Sequence, residues 1–237
     1  MREPSGDAPE PRQRWRLTFA REPVAPEDVG RAALEAWQAT LLSSGLPVLA
    51  GDERDGRPRM AFAAPLPAAF RGEAELLDLW LAEREPRWRV REALADRLPA
   101  GHGWIDAEDV WLGAPALAGQ VTGAVWAVAL ESDLDPTSGA RLADACMRLL
   151  AAETLPRIRT KGGAEKRYDL RPLLESVAVE PEPAGQTPAI AIVTRVQASL
   201  GSGRPEEVIA ALGDEADVEL RIGSIVRQRL ILASSRT

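Results

Sequence analysis

The chain has 237 residues, a net charge of −7, 45% hydrophobic and 27% charged residues, and a single cysteine and a single histidine. That length allows one large domain or two small ones, and the apolar fraction is enough to build a core. One cysteine excludes an internal disulfide and a cysteine-ligated zinc or iron–sulfur site, and the negative charge argues against indiscriminate polyanion binding.

Met1 to Arg14 is polar, proline-bearing and without an apolar h-region, so residues 1–13 are expected to be a disordered tail rather than a signal peptide. Trp15, Leu17 and Phe19 alternate in a strand with one buried face. Pro26-Glu27-Asp28 predicts a helix start, with Val29, Ala33, Trp37 and Leu41 as its buried stripe and Gly45 as its stop. Leu46 to Ala50 reads as a short strand, 51–58 as a charged loop, 59–66 as a strand and 72–82 as its antiparallel neighbour. A helix is predicted from Pro86, with Trp88, Leu94 and Leu98 on its face, followed by a strand over 109–112. Small residues from Gly113 to Gly119 read as a link.

After the link the pattern restarts. Val121–Leu130 is an apolar strand, and Asp133-Leu134-Asp135-Pro136 caps a helix that runs to about Ala152 with Leu142, Cys146 and Leu149 inward. Arg157–Thr160 and Lys166–Leu170 flank Gly162-Gly163 as a hairpin. Extended chain over 173–179, a turn over 181–186, a strand over 189–199, a helix from Pro205 to Gly213 and strands over 218–222 and 225–232 complete the order. Both halves read strand, helix, strand, strand, helix, strand. The expected fold is therefore α+β, two tandem ferredoxin-like (βαββαβ) modules with antiparallel sheets, over 14–115 and 120–233.

Chemistry-bearing patterns are sparse. No glycine-rich phosphate loop opens a helix, and the paired carboxylates lack metal-ligand spacing. Gly201-Ser202-Gly203-Arg204 before a helix reads first as a turn, with an anion nest as the weaker reading. Cys146 reads as a core hydrophobe, and His102, between two glycines, as a loop residue with a low-weight role as general base. The seven tryptophans read mainly as packing, with Trp104 the one expected at the surface.

The outstanding anomaly is a basic island in an acidic protein. Arg157, Arg159, Lys161, Lys166, Arg167 and Arg171 fall within fifteen residues that include both lysines of the chain. Such a hairpin is either simply solvated or converges on a phosphate backbone or an acidic protein surface. Tyr168 is positioned to stack on a base if it shares the cationic side.

Several segments in order, Arg14-Trp-Arg-Leu-Thr-Phe-Ala, Gly56-Arg-Pro-Arg-Met-Ala-Phe, Gly72-Glu-Ala-Glu-Leu-Leu-Asp-Leu-Trp-Leu, Tyr168-Asp-Leu-Arg-Pro-Leu-Leu, Gly201-Ser-Gly-Arg-Pro-Glu-Glu-Val-Ile and Ile225-Val-Arg-Gln-Arg-Leu, resemble the bacterial radical-SAM-linked proteins, a family defined as a domain of unknown function. The resemblance spans Arg14 to Leu232. It departs from the family at Val24-Ala-Pro-Glu-Asp and Ala50-Gly-Asp-Glu-Arg-Asp, where a Ser-His-Leu-Asp-type and an aromatic-Asn segment usually stand. It implies a cytoplasmic companion of a radical SAM protein, with RNA as a further partner and no membrane. The iron–sulfur cluster and S-adenosylmethionine would belong to that partner, with no cofactor or metal in this chain. The expectation is a non-catalytic accessory module that binds RNA or its protein partner through Arg157, Arg159, Lys161, Lys166, Arg167 and Arg171, with Arg57, Arg59 and Arg204 assisting. The alternatives are an RNA-processing nuclease using His102 and a pure protein-interaction scaffold.

Overall fold

The computed structural model describes residues 10–51, 56–131, 136–161, 164–180 and 189–233; the expected tail to residue 9, the cap at Asp133–Asp135, the Gly162-Gly163 turn and the 181–186 turn lie outside them. Side chains at 136, 159–161, 164 and 166 also fall outside the description. The chain is α+β with antiparallel strand pairing, and its contacts divide it into two compact units, one ending at Gln120 and one beginning at Val121.

The first unit contains β1 (Gln13–Arg21), α1 (Arg31–Ser43), β2 (Met60–Phe62), β3 (Arg71–Leu81), α2 (Arg87–Leu94), β4 (His102–Val110) and the single turn α3 (Leu117–Gln120). Its strands run in the spatial order β4-β1-β3-β2, every neighbour antiparallel. Trp15, Leu17 and Phe19 of β1 pack with Leu77, Leu79 and Leu81 of β3 and with Trp37, Leu41, Val90 and Leu94 of the two helices. Burying a side chain of this size contributes about 1.5–3 kcal/mol, which is what seats both helices on one face of the sheet.

Several expectations need correction here. Pro26–Asp28 forms only a 3-10 turn; Gly30, at φ 64°, resets the chain before α1 begins at Arg31. β4 begins at His102 rather than Asp109, because the segment pairs with β1 from Arg21 back to Arg14. The first strand has two buried faces, not one: Arg14 and Arg16 on its far side are buried with Asp78 of β3. Asp78 is 0% exposed and accepts from Arg14 Nε at 2.9 Å and Nη2 at 2.5 Å, and from Arg16 Nε at 2.8 Å and Nη2 at 3.1 Å. Arg14 also donates to the carbonyls of Ala114 and Pro115, so the expected link is folded onto this face and carries buried Leu117. Trp104 packs against the core, whereas Trp88 is 67% and Trp111 77% exposed. Trp88 stands two residues before Val90, some 200° around α2 from the buried stripe, and Trp111 lies past the end of β4.

The second unit contains β5 (Val121–Leu130), α4 (Pro136–Ala151), β6 (Pro156–Lys161), β7 (Ala164–Asp169), β8 (Leu174–Val179), β9 (Ala189–Gln197), β10 (Gly201–Ser202), α5 (Pro205–Ala216) and β11 (Ile222–Leu232). Its sheet runs β11-β5-β9-β8, again antiparallel throughout, with β10 paired to the far end of β9. Val128, Leu130, Ile190, Ile192, Leu142, Leu149, Val208 and Leu212 are all buried. Cys146 is buried on α4, and that burial pushes its thiol pKa up, consistent with a packing role. Among the described residues β6 and β7 pair only with each other, in a separate two-stranded ribbon that lies between α4 and β8 in chain order. Of the two strands expected over 218–222 and 225–232, the first does not form over 218–221, and a single strand, β11, runs from Ile222 to Leu232.

Candidate functional site: the basic ribbon

The ribbon register decides which cations act together. Arg157 lies opposite Tyr168, Ile158 opposite Arg167, Arg159 opposite Lys166, Thr160 opposite Glu165 and Lys161 opposite Ala164. Directly opposed residues share a face and successive residues alternate between faces. One face therefore carries Arg157, Arg159, Lys161, Lys166 and Tyr168 without a carboxylate. The other mixes Arg167 with Ile158, Thr160 and Glu165, so Arg167 stands apart from the cationic row.

The base of the ribbon is closed by Asp169. Its Oδ1 accepts from the backbone N–H of Leu155 at 2.7 Å and of Arg171 at 2.9 Å. Arg157, at the same end, donates through Nη1 to Asp214 of α5 at 2.6 Å; the Arg157 side chain is 20% exposed and that of Asp214 73%. Further along, Arg148 pairs with Glu215 and Arg141 with Asp217. The carboxylates at the end of α5 face the negative pole of its dipole, an unfavourable position that these arginines offset. Asp217 ends the helix in the left-handed conformation at φ 52°.

Arg171 lies beyond the ribbon, in the 3-10 turn Arg171–Leu173. Its guanidinium donates to Leu150 O at 2.7 Å, Leu174 O at 2.8 Å and Ala152 O at 3.2 Å. These are the terminal carbonyls of α4 and the first carbonyl of β8, so Arg171 fastens the end of a helix to a strand and does not join the cationic face. Arg204 is the exposed N-cap position of α5, where Glu206 and Glu207 already occupy the first turn; those carboxylates disfavour an anion at this helix start. Gly203 before it approaches Leu173 O so closely that a Cβ would lie 2.6 Å from that oxygen, a packing reason for the glycine.

Arg57 and Arg59 belong to the first unit and are exposed there. Arg59 lies over the Trp80 ring, 4.7 Å from its centroid. His102, also in the first unit, is half-buried at the start of β4, with Nδ1 3.0 Å from Ala100 O and 3.2 Å from Pro99 O, and its ring 5.5 Å from those of Phe19 and Trp37. A nitrogen facing two carbonyls is the protonated one, which leaves Nε2 as the acceptor. Burial lowers its pKa; the Ala100 and Pro99 carbonyls oppose that shift, the Arg21 charge reinforces it and the Glu75 charge opposes it. Arg21 itself donates to the carbonyls of Leu66, Pro67 and Phe70, pinning the loop before β3, a role invisible in sequence because the acceptors are backbone atoms.

Among the described residues, no group of three or more His, Cys, Asp or Glu side chains is arranged to hold a metal ion, and no helix is long and apolar enough to cross a membrane. The molecule is thus an α+β protein of two antiparallel-sheet units with an inserted basic ribbon. A family model described as "Uncharacterized protein conserved in bacteria (DUF2344)" matches residues 55–207, and the chain belongs to that family. No curated protein matches the chain. Among solved structures it is similar to a chain in a crystal structure of a Cbf5-Nop10-Gar1 complex, with 12% identity, a TM-score of 0.46, and 91% of this chain and 48% of that chain covered. It thus spans about half the length of that chain.

Proposed function

We propose that this protein is a non-catalytic accessory module that binds RNA through the face of the β6–β7 ribbon that bears no carboxylate of the ribbon's own, in the company of a radical SAM protein. The single observation that carries the RNA part is the register that gathers Arg157, Arg159, Lys161, Lys166 and Tyr168 on one side of the ribbon. Four cations on one face suit a phosphate backbone, and their isolation from the sheet leaves both ribbon edges without a strand partner among the described residues. The companion role rests on the resemblance of the Arg14–Leu232 segments to radical-SAM-linked proteins, and any cluster chemistry would be that partner's. The β4-β1-β3-β2 and β11-β5-β9-β8 orders, all antiparallel, support reading the two units as tandem ferredoxin-like modules, with the ribbon as an insertion in the second.

The carbonyl-bound, ring-packed setting of His102 favours a packing role over a nuclease base. The reading is tested by titrating a fluorescently labelled oligoribonucleotide at several salt concentrations. With Arg157 held by Asp214, roughly three to four phosphates are neutralised, giving a slope of log K against log salt of about −2 to −3 for a single strand. The triple reversal R159E/K161E/K166E is expected to abolish binding. Affinity that is independent of salt and of those charges would refute the RNA reading, and salt-independent capture of an acidic protein through the same face would replace it with a protein-interaction scaffold.

A further inference from the structure

We infer that the edge of β4 is a docking site for an extended basic segment of a partner protein, which adds to the sheet as a further strand. The inference is independent of the RNA reading. β4 ends the strand order of its unit and pairs only with β1 among the described residues. In an antiparallel pair, alternate residues turn their N–H and C=O groups away from the neighbour. Two β4 N–H groups are held locally, that of His102 by Pro99 O at 3.0 Å and that of Ala107 by Asp106 Oδ1 at 2.7 Å. Among the described residues the rest of the outward row has no other partner, over a nine-residue strand without a proline, lysine or arginine to block it.

Exposed apolar side chains gather at the same edge. Among the described residues the two most exposed large hydrophobic side chains are Trp111 at 77% and Trp88 at 67%. Trp111 and Leu112 follow the strand directly. Ile105 is the extra residue of a bulge, because Thr18 pairs with Asp106 and Phe19 with Trp104, and it is 48% exposed. Trp88 is next in the chain to Arg87, whose guanidinium pairs with Asp106 of the strand. Exposed apolar groups around an unpaired strand edge suit strand addition, in which main-chain hydrogen bonds give affinity and alternate side chains give specificity.

Charge selects the occupant. β4 bears Asp106, Glu108 and Asp109. Asp106 is met by Arg87, and Asp109 by the neutral amide of Gln13 at 2.8 Å. Glu108 is exposed and has no ion pair among the described residues; Arg16, opposite it in the register, bonds to Asp78 instead. One cation thus stands against three carboxylates. A second copy is disfavoured, because antiparallel β4–β4 pairing sets three carboxylates among three others, and like charges across a strand pair destabilise it. A strand that alternates lysine with valine reverses that sign. Its cations lie beside Asp106 and Glu108, which share a face, and its apolar side chains lie on the core side with Trp104 and Ala107.

The experiment titrates the full, nitrogen-15-labelled chain with synthetic heptapeptides and follows its backbone amide signals. The probes are an alternating Lys-Val peptide, its Glu-Val counterpart, and the Lys-Val peptide with every backbone nitrogen methylated, which keeps the charges and removes the strand donors. The Lys-Val peptide is expected to move the signals of residues 102–110 and to bind at least ~10-fold more tightly than the other two. Glu108→Lys is expected to weaken it by ~2- to 20-fold and Trp111→Ala by ~5-fold or more. Both side chains are exposed, and an unchanged thermal transition shows that each variant is folded. Equal binding of the methylated peptide, signals that move away from β4, or no binding of the Lys-Val peptide overturns the inference. Self-association of the chain through β4 in sedimentation also overturns it, in favour of a second copy. None of these results bears on the RNA reading.

Discussion

Replacing Arg171 with alanine separates architecture from binding inside the basic segment. In sequence Arg171 is one of six neighbouring cations and looks like part of the binding surface. In the structure its three contacts are all backbone carbonyls, Leu150 and Ala152 at the end of α4 and Leu174 at the start of β8. The helix-end carbonyls have no acceptor role within the helix, so removing the guanidinium leaves them to water or unsatisfied. A hydrogen bond to a charged group contributes about 1.5–3 kcal/mol when buried. Arg171 is half-exposed and its contacts are not additive, so the substitution is expected to cost about 2–4 kcal/mol in all. At about 4 °C of melting temperature per kcal/mol, the transition falls by roughly 8–16 °C. Urea unfolding followed by circular dichroism reads the loss. Oligoribonucleotide affinity, measured on the fraction still folded, is expected to change less than ~2-fold. A stable Arg171→Ala protein that has lost RNA would refute the assignment of Arg171 to the scaffold.

Other perturbations bear on the same account. Asp78→Ala strands Arg14 and Arg16 in a buried site with no countercharge; removing one partner of a buried pair costs about 3–5 kcal/mol, and D78L/R14M/R16M is expected to recover much of that loss in urea titrations. Asp214→Asn frees Arg157 from its ion pair, so RNA affinity is expected to rise ~2- to 5-fold with a steeper salt slope; an unchanged slope counts against Arg157 as a ligand residue. His102 has a folded pKa below its ordinary value near 6.5. The unfolded chain therefore takes up its proton first, and the stability contributed by the neutral ring is complete above about pH 6.5 and is lost as pH falls through the lowered folded value. Melting temperature across that acidic range is expected to drop more steeply for the wild type than for His102→Gln. Trp37→Ala is expected to cost about 3–5 kcal/mol, and Trp88→Ala less than about 0.5 kcal/mol, by the same denaturation assay.

Local periodicity carried the reading where one residue type dominates one face. The strand Val121–Leu130 and the Trp37–Leu41 stripe of α1 were legible because apolar residues at fixed spacing leave few alternatives. The basic ribbon was legible for a similar reason, a charge cluster around a two-glycine turn. Its place in the fold was not: nothing local distinguishes an inserted ribbon from the second and third strands of a repeated module, and only the pairing of β8 with β9 separates them. The same limit hid the Arg14–Asp78–Arg16 cluster, whose partners are more than sixty residues apart in sequence. An arginine alternating with Trp15 and Leu17 reads as solvent-facing until its carboxylate is found. Spacing alone reads the tryptophans as packing and Trp104 as the surface one, yet Trp104 packs on the core and Trp88, on the outer side of α2, is exposed. Arg171 reads as a ligand residue and Arg21 draws no reading at all, because a guanidinium bound to carbonyls leaves no mark on the acceptor's side chain.

The most direct test of the RNA-binding face is the position of contact. Photo-crosslinking of a 4-thiouridine oligoribonucleotide to the full protein, followed by peptide mapping, is predicted to label the segment from Arg157 to Tyr168, with the label lost in R159E/K161E/K166E. Crosslinks that fall outside the ribbon and persist in that variant would contradict it.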